Sequence, residues 1–110
     1  MTLSTHVLDI ARGRPAAGIA ITLYALDGDA RTPLGSARTN ADGRTDTPLG
    51  VDLVAGIYEL VFAAGPYFAE LGVAAFYADV PIRFTLAAGA DKYHVPLLLA
   101  PWGYSTYRGS

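Results

Sequence analysis

The feature that most constrains the fold is a repeated succession of strand-length runs and turn residues. Runs that contain β-branched or aromatic residues lie at 5–11, 19–26, 35–40, 56–63, 80–87 and 93–100. A cluster rich in Gly, Asp or Pro follows each of them. Strands at this spacing are typical of an all-β sandwich or barrel. A different pattern appears over 66–77, where Pro66 can begin a helix and Gly72 can end it, so we predict one short helix at about residues 66–71.

The length and composition limit the class of protein. A chain of 110 residues is the size of one domain, which we expect to span residues 1–110. Apolar residues make up 52% and charged residues 16%, which excludes disorder and indicates that subunits bury part of the surface. A net charge of −2 without a Lys/Arg patch argues against nucleic acid as a partner. The lack of cysteine excludes disulfides and thiolate zinc sites.

The sequence also gives an expectation for localisation. The opening residues MTLSTHVLD have neither a charged n-region nor an apolar h-region. Mostly apolar stretches reach only about ten residues, too short to cross a bilayer, so no membrane is expected as a partner. We therefore expect the cytoplasm, and the periplasm if a signal peptide has been removed.

Both histidines are predicted to lie on strands. With a period of two, His6 shares a face with Leu8, and His94 shares a face with Pro96 and Leu98. The residues on the opposite faces are uniformly apolar, as the core of a sandwich requires: Val7, Val95, Leu97 and Leu99. In the last segment, Ser105, Tyr107 and Gly109 are predicted to share one face.

Few side chains are suited to catalysis, and each also has a structural interpretation. Imidazole exchanges protons near neutral pH, but a single strand histidine is more often structural. Two histidines alone do not make a zinc site, so no metal is expected. Arg44 follows the turn 40–43 and is either a solvated charge or a planar donor for substrate oxygens. Asp9 is expected to be buried and hydrogen-bonded, and Trp102 is expected to be a packing residue.

The C-terminal segment YSTYRGS stays aromatic and hydroxylated to its end, whereas terminal residues usually fray. It combines a phenol, a guanidinium and a hydroxyl, from Tyr107, Arg108 and Ser110. No nucleophile elbow or glycine-rich phosphate loop occurs in the chain. The residues by themselves thus indicate a site at the tail without naming a reaction.

Three segments together resemble a known family: LSTHVLDIARGRPA (3–16), TNADGRTD (39–46) and YHVPLLLAPWGYSTYRGS (93–110). They are similar to the 5-hydroxyisourate hydrolases, transthyretin-related enzymes of urate breakdown. The ending YRGS is the most specific element, because transthyretin itself lacks it and lacks both histidines. The resemblance implies a transthyretin-like β-sandwich of two four-stranded antiparallel sheets. It also implies a homotetramer, a dimer of dimers, around a central channel.

The same resemblance implies a site and a reaction. The family's active-site positions correspond here to His6, Arg44, His94, Tyr107, Arg108, Gly109 and Ser110. The implied reaction is the hydrolysis of 5-hydroxyisourate to 2-oxo-4-hydroxy-4-carboxy-5-ureidoimidazoline, without a cofactor. It begins with water attack on a ring carbonyl.

The roles implied for these residues divide into proton transfer and substrate binding. His6 and His94 would handle protons, with the division between base and acid left open. Arg44 and Arg108 would bind ring oxygens, Ser110 would position water or substrate, and Tyr107 and Gly109 would shape the pocket.

Two other functions fit the same fold. A transthyretin-like carrier would hold a small aromatic ligand without chemistry, and it would need neither the histidines nor YRGS. A structural β-sandwich would be a monomer in which His6, His94 and the tail do not come together.

Overall fold

The computed structural model describes all 110 residues and contains ten strands and one helix. The strands are β1 (Thr2–Ser4), β2 (Val7–Asp9), β3 (Arg14–Pro15), β4 (Ala20–Asp27), β5 (Ala30–Arg38), β6 (Gly56–Phe62), β7 (Val80–Leu86), β8 (Lys92–His94), β9 (Leu97–Ala100) and β10 (Gly103–Thr106). The helix α1 spans Ala64–Glu70. The predicted all-β class with one short helix is therefore confirmed.

Two four-stranded sheets form the sandwich, as predicted. One sheet has the order β5-β4-β6-β7 and is antiparallel throughout. The other has the order β10-β9-β2-β3, and here β2 and β9 run parallel. The prediction of antiparallel pairing throughout is thus wrong for this pair. Parallel neighbours need a long connection, and the entire first sheet lies between β2 and β9 along the chain.

The parallel pairing extends beyond that sheet into a two-stranded one made of β1 and β8. Ser4 lies opposite His94 and Leu8 lies opposite Leu98, so both pairs have the same register. The connection between them is kept by the Val95 N–H donating to the Ser4 carbonyl at 2.9 Å. Pro96 interrupts the ladder because it has no N–H to donate, as its place in the predicted strand indicated.

The helix begins two residues earlier and ends one residue earlier than the predicted 66–71. Pro66 therefore occupies the third helical position, still within the first turn, where its missing N–H breaks no intrahelical bond. Leu71 caps the C-terminus, and Gly72 follows with a φ of 70°, the left-handed conformation that glycine adopts readily. None of the helical structure combines the length and apolarity that crossing a membrane would require.

The core between the sheets contains 18 buried apolar residues. Val7, Val95, Leu97 and Leu99 all belong to it, which confirms the predicted inward faces. Asp9 is completely buried beside them and accepts a hydrogen bond from the Tyr67 hydroxyl at 2.8 Å. The Arg12 backbone N–H donates to the other carboxylate oxygen at 3.0 Å. Asp9 therefore has the hydrogen-bonded structural place that its apolar neighbours indicated.

An aromatic cluster lies on the surface where the loop before β7 meets the turn before β10. The rings of Phe76 and Trp102 stack at 6.0 Å, although these residues are 66% and 71% exposed. Tyr77 contacts Phe76 and also Tyr104, each edge to face. Trp102 therefore packs on another aromatic ring, and it does so at the surface and not in the core. It sits at the tip of a tight turn, where the ring has only another exposed ring to contact.

Candidate active site

The site is built around His94, the last residue of β8. Its Nδ1 lies 2.9 Å from the Ser4 hydroxyl on the neighbouring strand. Burial lowers the pKa of His94 below its usual 6.5, and Coulomb repulsion from Arg44 and then from His6 lowers the pKa further. His94 is therefore a neutral imidazole at physiological pH. The structure also brings His6 and Arg44 close enough to act on its charge.

His6 lies between β1 and β2 and is half-buried. Its carbonyl accepts a hydrogen bond from the Leu97 N–H at 2.9 Å, which ties it to β9 beside Pro96. Gly43 lies behind its ring with a φ of 75°, and a Cβ there would overlap the Val7 carbonyl oxygen and approach the His6 ring within 3.3 Å. Only glycine fits this close approach. The ring nitrogens of His6 make no hydrogen bond within the chain and are free for a ligand.

Arg44 is exposed, and a local turn fixes its backbone. The Asn40 side-chain oxygen accepts from the backbone N–H groups of Asp42 and Arg44, at 2.9 and 3.2 Å. The Asn40 N–H donates in turn to the Arg44 carbonyl at 2.7 Å. Asparagine commonly organises turns in this way. The loop thus has a fixed backbone while the guanidinium stays free to bind oxygens.

A polar cavity of about 180 Å³ lies beside these residues. Apart from one proline it is lined by polar and charged residues: Ser4, Thr5, Arg44, Thr45, Asp46, Thr47 and Pro48. Its hydroxyl, carboxylate and guanidinium groups suit a small, flat, polar ligand with several hydrogen-bonding atoms.

The tail returns to His94 through Gly109. The Gly109 N–H donates to the His94 carbonyl at 2.7 Å, and the two residues form an isolated antiparallel bridge. Thr106 lies opposite Leu97 in the same register, so the tail continues the line of β10 beyond Pro96. A Cβ on Gly109 would lie 2.7 Å from His94 Cδ2, so the glycine backbone rests directly against the ring edge. The tail thus meets His94 through Gly109.

The other tail residues have different surroundings. Arg108 alternates to the opposite face from Gly109, and its guanidinium lies 4.8 Å from the centre of the Tyr93 ring. Tyr107 is 57% exposed and lines a groove of about 240 Å³ with Arg108 and residues of β7. Ser110 is exposed and makes no hydrogen bond within the chain. The Arg108 guanidinium therefore faces Tyr93, whereas the Gly109 backbone faces His94.

Sequence reasoning missed Ser4 and Gly43. Ser4 lies two residues before His6, so the period of two would have placed both on one face of the strand. Gly43 follows Asp42 in a turn, where a glycine is usually attributed to the turn alone. Its contact with His6 depends on the fold and has no local signal. No group of three or more His, Asp and Glu side chains is arranged to hold a metal ion.

The lowered pKa of His94 gives a prediction for stability. The folded chain binds a proton at His94 less readily than the unfolded chain, so this residue destabilises the fold as pH falls below about 6.5 toward the lower folded-state pKa. We expect the free energy of unfolding to decrease more steeply over this range in the wild type than in His94→Gln. Urea denaturation at several pH values measures both slopes, and equal slopes would contradict the prediction.

Comparison with known proteins agrees with this geometry. Residues 3–109 match the model of the HIUase/Transthyretin family. "5-hydroxyisourate hydrolase 2" of Rhizobium meliloti is 56% identical, with 98% of this chain and 95% of the relative covered. "5-hydroxyisourate hydrolase" of Mesorhizobium japonicum is 59% identical, over 98% of this chain and 91% of the relative.

Solved structures give the same result. The 5-hydroxyisourate hydrolase of Klebsiella pneumoniae is 41% identical, with a TM-score of 0.88 and both chains fully covered. An (S)-allantoin synthase is 40% identical with a TM-score of 0.90. The match covers 99% of this chain and 43% of the synthase. Sea bream transthyretin, solved with thyroxine, has a TM-score of 0.92 at 25% identity, over 99% of this chain and 95% of that one. Because residues 3–109 of the chain match the family model, this chain belongs to the HIUase/Transthyretin family.

Proposed function

We propose that this protein hydrolyses 5-hydroxyisourate to 2-oxo-4-hydroxy-4-carboxy-5-ureidoimidazoline in urate degradation. The observation that carries the proposal is the meeting of His94, its Ser4 partner and the Gly109 backbone in one place, with His6 and Arg44 acting on the same imidazole. Relatives with 56% and 59% identity are named 5-hydroxyisourate hydrolases. We take residues 1–110 as the catalytic unit.

The reaction requires three things of the site. Water attacks a ring carbonyl, so a base must take its proton; the carbonyl oxygen becomes negative, so donors must face it; and the ring nitrogen leaves with a proton. His6 has free ring nitrogens for proton transfer. Arg44 supplies a fixed positive charge for ring oxygens. We assign the Ser110 hydroxyl to the positioning of water or substrate, and Tyr107 and Gly109 to the pocket wall.

The two alternative functions are less well supported. A non-catalytic carrier has no need for a neutral imidazole beside an arginine, and the similar relatives are named as hydrolases. A purely structural β-sandwich predicts that the tail and the histidines stay apart, whereas Gly109 contacts His94.

A decay assay tests the proposed activity. 5-Hydroxyisourate is generated in place from urate by urate oxidase, and its absorbance is followed with and without this protein. The compound also decays spontaneously, so the informative quantity is the acceleration per enzyme, compared with the same amount of heat-denatured protein. We expect a clear acceleration. A folded protein that leaves the decay unchanged would overturn the hydrolase proposal in favour of a carrier.

We also propose a homotetramer, a dimer of dimers, in the cytoplasm. The compartment rests on the sequence expectation alone. The exposed aromatic cluster of Phe76, Tyr77, Trp102 and Tyr104 supports burial between subunits, because contiguous exposed apolar side chains often mark an interaction surface. Arg108 on Tyr93 also remains near the surface, so it stays in the proposed substrate-binding set.

A single charged substitution tests the assembly. We expect Trp102→Glu to reduce the mass measured by light scattering during size exclusion, because a carboxylate would be buried in the subunit interface. Val54→Glu is the matched control, since Val54 is 72% exposed and lies outside the cluster. A wild-type protein that elutes as a monomer would contradict the tetramer.

A further inference from the structure

Ser4 contacts His94 directly, although the proposed reaction assigns it no role. Its hydroxyl oxygen lies 2.9 Å from Nδ1 of His94. The contact is built into the fold, since Ser4 and His94 are paired in the parallel ladder of β1 and β8. The Val95 N–H donates to the Ser4 carbonyl at 2.9 Å, which holds the two strands together at this position. The distance is therefore set by backbone pairing, and the geometry needs no ligand to form.

The direction of this hydrogen bond follows from the partners that are available. The Ser4 hydroxyl has one proton, and His94 Nδ1 is its only partner in the chain. If Nδ1 carried a proton and donated, the hydroxyl proton would have no acceptor in the protein. If Ser4 donates, the hydroxyl and Nδ1 both have a partner, and the single proton of the neutral imidazole stays on Nε2, the nitrogen that carries it in the intrinsically more stable tautomer of histidine. The favoured arrangement is the second one.

The opposite edge of the ring is fixed as well. The Gly109 backbone rests against Cδ2, the carbon bonded to Nε2, so the ring has little room to rotate. Nε2 makes no hydrogen bond within the chain, and no side-chain N or O atom without a partner is buried, so Nε2 is exposed to a ligand. The Nε2–H group is thus accessible and held in one direction.

A neutral imidazole with its proton on Nε2 is a hydrogen-bond donor and a very poor source of protons. It can stabilise an oxygen that becomes negative, as neutral histidine does in other enzymes. Burial, and after it the nearby charge of Arg44, lower the pKa of His94 and so favour this neutral form. Proton transfer then has to be carried out by the other histidine.

We propose that Ser4 is a positioning residue that holds His94 as its Nε2–H tautomer, so that His94 donates to the developing oxyanion and His6 alone transfers protons. This inference rests on the proposed hydrolysis. A bond forms between the water oxygen and the ring carbonyl carbon, and His6 takes the water proton. The carbon–nitrogen bond of the ring then breaks, and His6 returns that proton to the departing nitrogen.

The first test needs no substrate. Long-range proton–nitrogen NMR at about pH 8 shows which imidazole nitrogen carries hydrogen, and the chain has only two histidines to resolve. His6→Gln leaves one set of signals and assigns His94. We expect the Nε2–H tautomer in the wild type and a mixture of tautomers in Ser4→Ala, with Ser4→Thr restoring the wild-type pattern. An Nδ1–H tautomer in the wild type, or a pattern that Ser4→Ala leaves unchanged, would overturn the inference.

The second test is kinetic and separates positioning from general stability. We expect Ser4→Ala to lower kcat about tenfold or more with little change in KM, because the oxyanion contact exists only in the transition state. Thr2→Ala is the matched control, since Thr2 lies on the same strand and the same face without a side-chain hydrogen bond. An equal loss of kcat in Ser4→Ala and Thr2→Ala would contradict the positioning role of Ser4. If the tautomer is as expected and no hydrolysis occurs, the proposed function fails while the assignment of the ring proton stands.

Discussion

Replacing His6 with alanine is expected to lower kcat for 5-hydroxyisourate hydrolysis by about 10²–10⁴-fold, the range typical of a lost general base. His6 is the imidazole whose two ring nitrogens have no partner in the chain, so its side chain is not needed to hold the local structure. Its backbone carbonyl, which the variant keeps, makes the bond to Leu97. The loss should therefore appear in catalysis and leave the fold in place. Steady-state rates from the decay assay measure it.

The control for this variant is a measurement of its own fold and assembly. Circular dichroism and light scattering should give the wild-type fold and mass for His6→Ala, because the substitution removes no side-chain hydrogen bond and keeps the backbone bond to Leu97. His6→Gln should be as inactive as His6→Ala, since an amide keeps the size and hydrogen bonding but does not exchange protons. A rate for either variant within a few-fold of the wild type would exclude His6 as the base.

The second large effect is expected at the tail. Gly109→Ala should lower kcat by about 10²-fold, because small displacements of a catalytic group have effects of this size. The added Cβ would lie 2.7 Å from His94 Cδ2. The ring is held on its other side by Ser4, so it keeps its place only if the tail moves away. A shift of the His94 ring and a shift of the tail would each separate groups that the site holds together.

Gly103→Ala is the matched control for this substitution. Gly103 begins β10 in the same terminal segment, and a Cβ there would meet no atom within 4 Å. The same change of residue type should therefore leave the rate near that of the wild type. The decay assay measures the rates of both variants. Equal rates for Gly109→Ala and the wild type would mean that contact between the tail and His94 has no catalytic role.

Local patterns predicted most of the fold. The alternation in β2 and β9 placed Val7, Leu97 and Leu99 in the core, because a strand exposes its residues to two sides in turn. The helix was located within two residues by Pro66 and Gly72. These features depend on residues close together in sequence, so the sequence contains them directly.

Pairing direction was not predictable in the same way. β2 and β9 are more than eighty residues apart, and nothing within either strand specifies a parallel neighbour. Trp102 shows the same limit, since its exposed position depends on the turn that carries it and on Phe76 from a distant loop.

The sequence by itself determined which residues have chemistry and which side of the core strands faces inward, because side-chain type and the period of two are local properties; His6, predicted on a strand, lies between β1 and β2. Only the tertiary structure decided which of them meet. Ser4 reaches His94 through a parallel ladder, Gly43 lies behind His6 through a returning loop, and Gly109 contacts His94 through a bridge beyond Pro96. Arg108 is the counterexample, since the same alternation that places Gly109 on His94 turns its guanidinium to Tyr93. Such contacts depend on the register between distant segments, which is fixed only when the two sheets pack around one core.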